Sequence, residues 1–406
     1  MGLACPENEV SHSTLIVQKA VPEKKRKVLI ITSEGGGGHT AVARALQSYL
    51  PHDQYSFVVV DMMKDCLKRL DPVQLFTLGR YTGNDFYNYC LRKKWNYALN
   101  FTFKMGRWFF YVAKYGHVRA IRGLLQCHKP DILISVVPLI NGAVYKAAQE
   151  ANIPCLVIPT DLDMGIHFTI GVNNPEGKKF KFTIPFDAPL VKETIKSAKI
   201  DDAPIVGFPV NTSFLASASE EDKEKIRNDF LLPDNKPIVM VLMGTVGIIE
   251  LERIAQEMAF LDVPAHFTFC IGKGAFLKEK IMAITFPPHV TYTIVGFTDR
   301  IADLMEVSDL LVTKSGTVSV CEALYRNVPL LLDATSDVLL WERLNHDFVS
   351  YYGFGCSIKH PKQWTAAVSY LLKNPEKLKS YRNNIMKFPK PDPKAHIVAL
   401  IEDLLA

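Results

Sequence analysis

One sequence pattern occurs twice in this chain: a short apolar run, then a cluster of glycines, then a helical pattern. Residues 28–32 precede Gly35-Gly36-Gly37-Gly38-His39-Thr40, and helical spacing of apolar residues continues to Leu50. Residues 238–243 precede Gly244-Thr245-Val246-Gly247 and a second helical pattern. A strand that turns on glycines into a helix typically begins a doubly wound parallel sheet. The repetition therefore predicts two α/β domains in tandem.

Further strand-length apolar runs alternate with helix-length segments, which favours parallel sheets in both halves. They lie at 56–60, 132–137, 155–158, 267–271, 291–295, 309–313 and 329–332. A charged stretch at 217–236 separates the two groups. The predicted organisation is a flexible tail (1–25), an N-terminal domain (26–219), a C-terminal domain (220–380) and helices over 381–406 that cross back to the first domain.

Charge and cysteine content narrow the class of protein. The net charge of +5 is too small to indicate nucleic acid, although it suits anionic phosphates or an anionic membrane. The eight cysteines are scattered without a Cys-x-x-Cys pair, as in proteins of a reducing compartment. No stretch has the ~20 apolar residues of a membrane-spanning helix. We expect a cytoplasmic protein that binds no nucleic acid.

The first glycine turn lies where parallel sheets bind ligands, between the carboxyl end of a strand and a helix N-terminus. His39 stands at the mouth of this turn, and an imidazole titrates near the pH at which a hydroxyl proton must be removed. The alternative for His39 is a role in capping the helix or in binding phosphate. The alternative for the glycines is a tight turn with a purely structural role.

Two glycine turns follow strands of the second half, at Gly244 to Gly247 and at Gly272-Lys273-Gly274, which indicates a phosphate site. Downstream, residues 313–324 run from a strand through a loop into a helix, with Glu322 about one turn in. A carboxylate there can accept both hydroxyls of a ribose. The alternative is a carboxylate that the helix dipole favours.

The order of these motifs resembles one family. After the Gly-Gly-Gly-His turn come Gly207-Phe208-Pro209-Val210-Asn211-Thr212-Ser213-Phe214, then Lys314-Ser315-Gly316 and Glu322-Ala323-Leu324. This order resembles the monogalactosyldiacylglycerol synthases and bacterial diacylglycerol glucosyltransferases, and more distantly the GlcNAc transferase of peptidoglycan synthesis. The resemblance covers residues 26–400. It implies the GT-B fold, in which two Rossmann-like doubly wound domains face a central cleft.

The resemblance also implies where the substrates bind. The acceptor would lie in the first domain and the nucleotide sugar in the second, with His39 as the catalytic base. With the glycine turns, the donor-binding residues are Gly37, Gly38, Gly244, Gly247, Gly272, Phe297, Ser319, Glu322, Glu342 and Asn345. The residues assigned to the acceptor side of the cleft are Pro138, Asp161 and Asp163.

Three positions depart from the family pattern. The triple-glycine turn of the second domain is reduced to Gly244-Thr245-Val246-Gly247, Thr317-Val318 replaces a Pro-Gly pair, and Trp341 replaces the Gln of the sugar loop. These departures leave the identity of the donor sugar open.

Residues 75–122 are rich in aromatic and basic side chains. They hold 14 aromatics and nine Lys or Arg, against the single acid Asp85. Aromatic rings beside cations suit a membrane interface, so Trp108, Phe109 and Phe110 are predicted membrane contacts. Helices packed on the first sheet are the alternative, which explains the aromatics but not the charge.

Together these features predict an inverting hexosyltransferase that acts at an anionic membrane surface. The resemblance implies UDP-galactose, UDP-glucose or UDP-GlcNAc as the donor and diacylglycerol or a related lipid as the acceptor. No cofactor or metal is expected, because glycine-turn amides and helix N-termini would stabilise the departing diphosphate. A soluble nucleotide-sugar epimerase of the same fold and a non-catalytic membrane-binding relative are the alternatives.

Overall fold

Two parallel sheets form the framework of the chain. The computed structural model describes residues 25–67, 70–166, 179–196, 200, 203–244 and 248–406, without the side chains of residues 107–111, 166 and 248. Within these ranges the first sheet has the order β2-β1-β3-β4-β5. Its strands are β1 (Arg26–Thr32), β2 (Tyr55–Asp61), β3 (Ile132–Ser135), β4 (Cys155–Val157) and β5 (Phe180–Phe182).

The second sheet is also parallel throughout, with the order β11-β10-β9-β6-β7-β8. Its strands are β6 (Ile238–Leu242), β7 (Ala265–Gly272), β8 (Val290–Gly296), β9 (Leu310–Lys314), β10 (Leu330–Asp333) and β11 (Gly355–Ile358). This is the strand order of a dinucleotide-binding Rossmann sheet, whereas the first sheet has the flavodoxin-like order.

Helices connect the strands and cover both faces of each sheet. Among the described residues they are α1 (Gly38–Tyr49), α2 (Pro72–Phe76), α3 (Gly83–Arg92), α4 (Asn96–Val112), α5 (Lys114–His128), α6 (Asn141–Glu150), α7 (Pro189–Ile195), α8 (Glu220–Asp229), α9 (Ile248–Met258), α10 (Phe276–Met282), α11 (Ile301–Glu306), α12 (Thr317–Tyr325), α13 (Arg343–Tyr351), α14 (Trp364–Lys373), α15 (Pro375–Lys387) and α16 (Pro393–Leu405). None of the helices in this part of the chain is long and apolar enough to span a bilayer.

The strands predicted from apolar runs are present, with small differences. The run at 132–137 ends as a strand at Ser135, because Val136 and Val137 leave the sheet toward Pro138. The strands β5 and β11 were not predicted. The first is only three residues long and the second contains Gly355, Cys356 and Ser357, so neither has a clear apolar pattern.

The segment that begins at Gly207 is held against the segment around Pro391 by Tyr325. Gly207 has a φ of +84°, and a Cβ there would lie 2.5 Å from the Pro391 carbonyl oxygen. The Tyr325 hydroxyl accepts from the Phe208 amide at 3.2 Å and donates to the Pro391 carbonyl at 3.0 Å. Tyr325 therefore joins both chain segments that pass between the two sheets.

The final helix, α16, returns to the first sheet. Its buried residues Ile397, Ile401 and Leu404 lie on one face, and the helix packs against α1 and β3. The Arg26 guanidinium donates to the Leu405 carbonyl oxygen at 2.9 Å, which joins the first strand to the last helix.

Candidate active site

The switch points of the two sheets face each other across a cleft. In an open parallel sheet, ligands bind at the carboxyl ends of the strands where the strand order reverses, here after β1 and β3 and after β6 and β9. A cavity of about 210 Å³ lies at this place. It is lined from the first sheet by residues 35–39, Ala41, Tyr87, Thr160 and Asp161, and from the second by Gly244, Lys314, residues 316–319, Trp341 and Glu342.

Two helix N-termini meet at this cavity. Gly37 precedes α1 in a left-handed conformation with φ 88°, and Gly316 precedes α12. A Cβ on Gly38 would lie 3.4 Å from the Val318 side chain, so the two helix starts are in near contact. Unpaired amides and the partial positive charge of both helices are therefore directed toward one small space, which suits a diphosphate.

His39 is held by main-chain and side-chain groups of the first sheet. Its Nδ1 lies 2.8 Å from the Val136 carbonyl oxygen and 2.7 Å from the Thr160 hydroxyl. Because the carbonyl oxygen can only accept, this contact favours the tautomer with the proton on Nδ1 and the lone pair on Nε2. An imidazole in this tautomer can act as a base through Nε2.

A cation and a carboxylate from the second sheet border the same cavity. The Lys314 ammonium lies 3.3 Å from Glu342 Oε1, and the Ser315 hydroxyl donates to Glu342 Oε2 at 3.3 Å. The side chain of Glu342 is largely buried, whereas that of Lys314 is about a quarter exposed. Lys314 can thus move from Glu342 toward a bound anion without being fully desolvated.

A second, larger cavity adjoins the first on the side of the aromatic segment. It measures about 750 Å³ and has mostly apolar walls from α2, α3, α4 and the Pro138-Leu139 turn. The two cavities share Gly35, His39, Tyr87, Asp161 and Trp341. His39 therefore stands at a junction between a polar space and an apolar one.

Glu322 lies one turn into α12 and outside the lining of either cavity. Burial raises the pKa of its carboxyl to about 8. Hydroxyl groups that donate hydrogen bonds to this carboxyl would stabilise its ionised form. The buried position of Glu322 is therefore compatible with the predicted contact to the ribose hydroxyls. That contact stays a prediction.

The other predicted residues are distributed between the cavities and their surroundings. Ser319 lines the polar cavity and Pro138 the apolar one. Gly272 ends β7, and Phe297 just beyond β8 is 74% exposed with the Lys273 ammonium 5.3 Å from its ring centroid. Both are thus at the carboxyl edge of the second sheet without lining the polar cavity.

Two predicted residues have supporting contacts rather than exposed positions. Asn345 is fully buried, and its amide donates to the Ser315 carbonyl and the Thr317 hydroxyl at 2.5 and 3.0 Å. Asn345 would therefore affect donor binding by holding the loop at Ser315 to Thr317 and not by direct contact. The Asp163 carboxylate accepts from the Gly165 amide at 3.0 Å.

Several predictions fall outside the described part of the structure. These are the predicted flexible tail up to residue 24, Gly247 and the side chains of Trp108, Phe109 and Phe110. In the part that is described, no group of three or more His, Cys, Asp or Glu residues could hold a metal ion.

Tyr87 and Lys314 were not assigned roles from the sequence. Tyr87 lies among 14 aromatics, and only the tertiary structure brings it against Gly35. Lys314 ends a predicted strand and directly precedes Ser315-Gly316. This position beside a glycine turn could have indicated a role in binding phosphate.

Two Rossmann-like sheets with their switch points facing one cleft define the GT-B class of fold. Residues 238–332 match the glycosyltransferase family 28 C-terminal domain. A processive diacylglycerol beta-glucosyltransferase of Bacillus pumilus is 25% identical over 374 residues, which cover 89% of this chain and 90% of that protein. The chain is thus a relative of the diacylglycerol glucosyltransferases, which confirms the resemblance seen in the sequence.

Solved structures confirm the fold. MurG of Acinetobacter baumannii matches with a TM-score of 0.59 and 15% identity, over 93% of this chain and 99% of MurG. UDP-GlcNAc 2-epimerase of Neisseria meningitidis matches with a TM-score of 0.55 and 14% identity, over 93% and 99% of the two chains. The structures of MurG and of the epimerase match this chain about equally well. The GT-B fold alone therefore does not decide which reaction the chain catalyses.

Proposed function

We propose that this chain transfers a hexose from a UDP-sugar to the hydroxyl of diacylglycerol or a related lipid at a membrane surface. The observation that carries the proposal is the junction at His39, where an apolar cavity of about 750 Å³ meets a polar one of about 210 Å³. The first suits acyl chains and the second a sugar diphosphate. A nucleotide-sugar epimerase has no need for the apolar cavity.

In the proposed reaction, the lipid hydroxyl oxygen bonds to the anomeric carbon of the sugar. The bond between that carbon and the diphosphate oxygen breaks, and the electron pair leaves with UDP. The hydroxyl proton passes to Nε2 of His39 and then to solvent. Attack opposite the leaving group would invert the anomeric carbon.

The departing diphosphate would be stabilised without a metal ion. The N-termini of α1 and α12 direct amides toward the polar cavity, and Lys314 adds a full positive charge. Such groups are effective because they are already oriented before charge develops on the leaving oxygen. Full transferase activity in the presence of a chelator is therefore expected.

Exposed apolar residues beside the large cavity support action at a membrane. Leu75, Phe76, Leu78 and Tyr81 are 61, 90, 94 and 59% exposed, and Phe76 also lines the cavity. Arg80 lies among them and is exposed. Apolar side chains with a neighbouring cation suit insertion among anionic headgroups. The lipid would then enter the cavity at the place where this segment meets the bilayer.

The test is a transfer assay with the full chain, labelled UDP-glucose, UDP-galactose or UDP-GlcNAc, and anionic vesicles with or without diacylglycerol. We expect a lipid-linked hexose only with diacylglycerol, and its anomeric configuration opposite to that of the donor. Conversion of the free UDP-sugar to its epimer would overturn the proposal in favour of an epimerase. UDP binding without turnover of any donor would favour a non-catalytic relative.

A further inference from the structure

A loop of the second domain packs on two helices of the first. Residues 337–342 follow β10, and Trp341 and Glu342 at their end line the polar cavity. We call residues 337–342 the donor loop. Each of its residues from Asp337 to Trp341 contacts a side chain of α3 or α4. The conformation of the second domain at this point therefore depends on the first.

Asn100 of α4 holds the centre of the donor loop by two hydrogen bonds. Its side-chain amide donates to the Val338 carbonyl oxygen at 3.2 Å, and its side-chain oxygen accepts from the Leu340 amide at 2.9 Å. Because one partner can only accept and the other can only donate, these contacts fix the orientation of the Asn100 amide. Asn100 is 8% exposed, so water does not readily replace either bond.

Contacts on either side of Asn100 hold the two ends of the donor loop. Asn96, one turn earlier on α4, donates to the Asp337 carbonyl oxygen at 2.5 Å. The Trp341 ring centroid lies 4.9 Å from that of Phe103, one turn later. Asn96, Asn100 and Phe103 are four and three residues apart, so they lie on one face of the helix. This face of α4 supports the loop from its beginning to Trp341.

The start of α4 is itself held on the second domain. The Lys94 ammonium, in the turn before α4, pairs with the Glu250 carboxylate of α9, and the Glu250 side chain is 6% exposed. Leu339 of the donor loop is buried in a cluster with Cys90 and Leu99. These contacts keep the face of α4 that carries Asn100 beside the loop.

A short helical turn connects Asn100 to the cavity. The turn comprises residues 340–342, and the Glu342 amide donates to the Leu339 carbonyl oxygen at 2.9 Å. It begins at Leu340, whose amide is the one that Asn100 binds. A shift of the loop at Asn100 would therefore move the Trp341 and Glu342 side chains relative to the polar cavity.

The junction of the two cavities is where the hexose of a donor would lie. His39 stands there, and Trp341 is among the residues that line both cavities. In a UDP-hexose the diphosphate separates the hexose from the nucleoside. With the diphosphate between the N-termini of α1 and α12, the hexose would point toward the junction and the nucleoside away from it. The donor loop would thus meet the hexose and not the nucleoside.

We infer that Asn100 is a positioning residue, which fixes the donor loop against the hexose and gives the first domain a part in binding the donor. This inference rests on the proposed function. Without the two hydrogen bonds of Asn100, the Leu340 amide and the Val338 carbonyl would need new partners, and the loop would shift. Contacts to the hexose would weaken, whereas contacts to the nucleoside would not.

The test measures transfer and nucleotide binding separately on the full chain, with diacylglycerol vesicles and the UDP-hexose that the wild type uses. Asn100→Leu keeps a side chain of similar size without hydrogen bonds, and should lower kcat/KM for the donor about ten- to hundred-fold. The affinity for UDP, from calorimetry, should change by less than about two-fold. Asn100→Gln retains both a donor and an acceptor, so its loss of kcat/KM should be smaller.

Asn384→Leu on α15 is the matched control. The Asn384 amide donates to the Gly353 carbonyl oxygen at 3.1 Å, which is the same kind of bond outside the donor loop, so both quantities should stay at their wild-type values. An unchanged kcat/KM in Asn100→Leu, or equal losses of kcat/KM and UDP affinity in the folded variant, would overturn the positioning role alone. Absence of transfer by the wild type would overturn the proposed function and the inference with it.

Discussion

The Nδ1 atom of His39 lies 2.8 Å from the carbonyl oxygen of Val136, and this contact favours the tautomer with the proton on Nδ1. With the proton on Nδ1, Nε2 carries the lone pair and is the expected base. His39→Ala is therefore expected to lower turnover by roughly 10²–10⁴-fold, the usual contribution of a placed general base. Transfer assays at saturating donor measure this change, and UDP affinity should barely alter.

His39→Asn is the matched control for that substitution. Its amide can still donate to the Val136 carbonyl oxygen but offers no basic nitrogen, so it should be as slow as His39→Ala. If His39→Ala instead weakened UDP binding and left turnover of bound donor intact, His39 would be a phosphate ligand. The base would then have to be sought at Asp161 or Asp163.

Glu322 should make UDP binding depend on pH. Its pKa of about 8 in the free protein means that the carboxyl is mostly protonated at pH 7. Ribose hydroxyls favour the ionised form, so binding releases a proton, and affinity rises with pH until about 8 and then levels off. Calorimetry in buffers of different ionisation enthalpy measures the released proton directly.

Substitutions of Glu322 provide the comparison. Losing charge-assisted hydrogen bonds of ~1.5–3 kcal/mol implies that Glu322→Ala weakens UDP binding about ten- to hundred-fold. Glu322→Gln should remove the pH dependence between about pH 7 and 8.5. Equal affinity and an equal pH profile in the wild type and in Glu322→Gln would show that this carboxyl does not contact the ribose.

The exposed apolar residues beside the large cavity should contribute to membrane binding. Replacing Phe76 and Leu78 by Ser is expected to reduce sedimentation with anionic vesicles by at least about ten-fold, because each side chain loses apolar area buried in the bilayer. UDP affinity should stay the same. Phe260→Ser, at a residue that is 76% exposed beyond α9, is the matched control.

Three aromatic residues in the sequence of α4 carry a separate prediction about membrane binding. Replacing Trp108, Phe109 and Phe110 by Ser should also weaken vesicle binding without affecting UDP. Equal vesicle binding in a folded triple variant would instead indicate that these three side chains pack within the protein.

Gly207 is expected to be important for stability. Its φ is +84°, and the Pro391 carbonyl oxygen lies 2.5 Å from the position that a Cβ would take, which leaves no room for a side chain. Gly207→Ala should lower the free energy of unfolding by about 2–4 kcal/mol. Gly79→Ala is the control, because Gly79 has a φ of +83° but no atom within 4 Å of a Cβ. Urea denaturation should show a clearly smaller loss for that control.

The parts of the candidate site that lie directly at the end of a strand could be predicted from the sequence. The turn at Gly35 to His39 and the switch-point strands β1, β6 and β9 could be located because glycine turns follow apolar runs. The contacts of Trp341 with Tyr87 and Phe103 could not be predicted, because Trp341 lies in the other half of the sequence and meets them only in the folded chain. The sequence showed Trp341 only as a departure from a family pattern.

The return of α16 to the first sheet has a consequence for protein synthesis. A ribosome completes residues 26–219 long before the buried Ile397 and Ile401, which that half needs for its core. At ~5–20 residues per second, the roughly 180 intervening residues take about 9–35 s to make. During that time the face of α1 and β3 that α16 later covers is open to chaperones. The nascent chain must therefore finish its second domain before it can close its first.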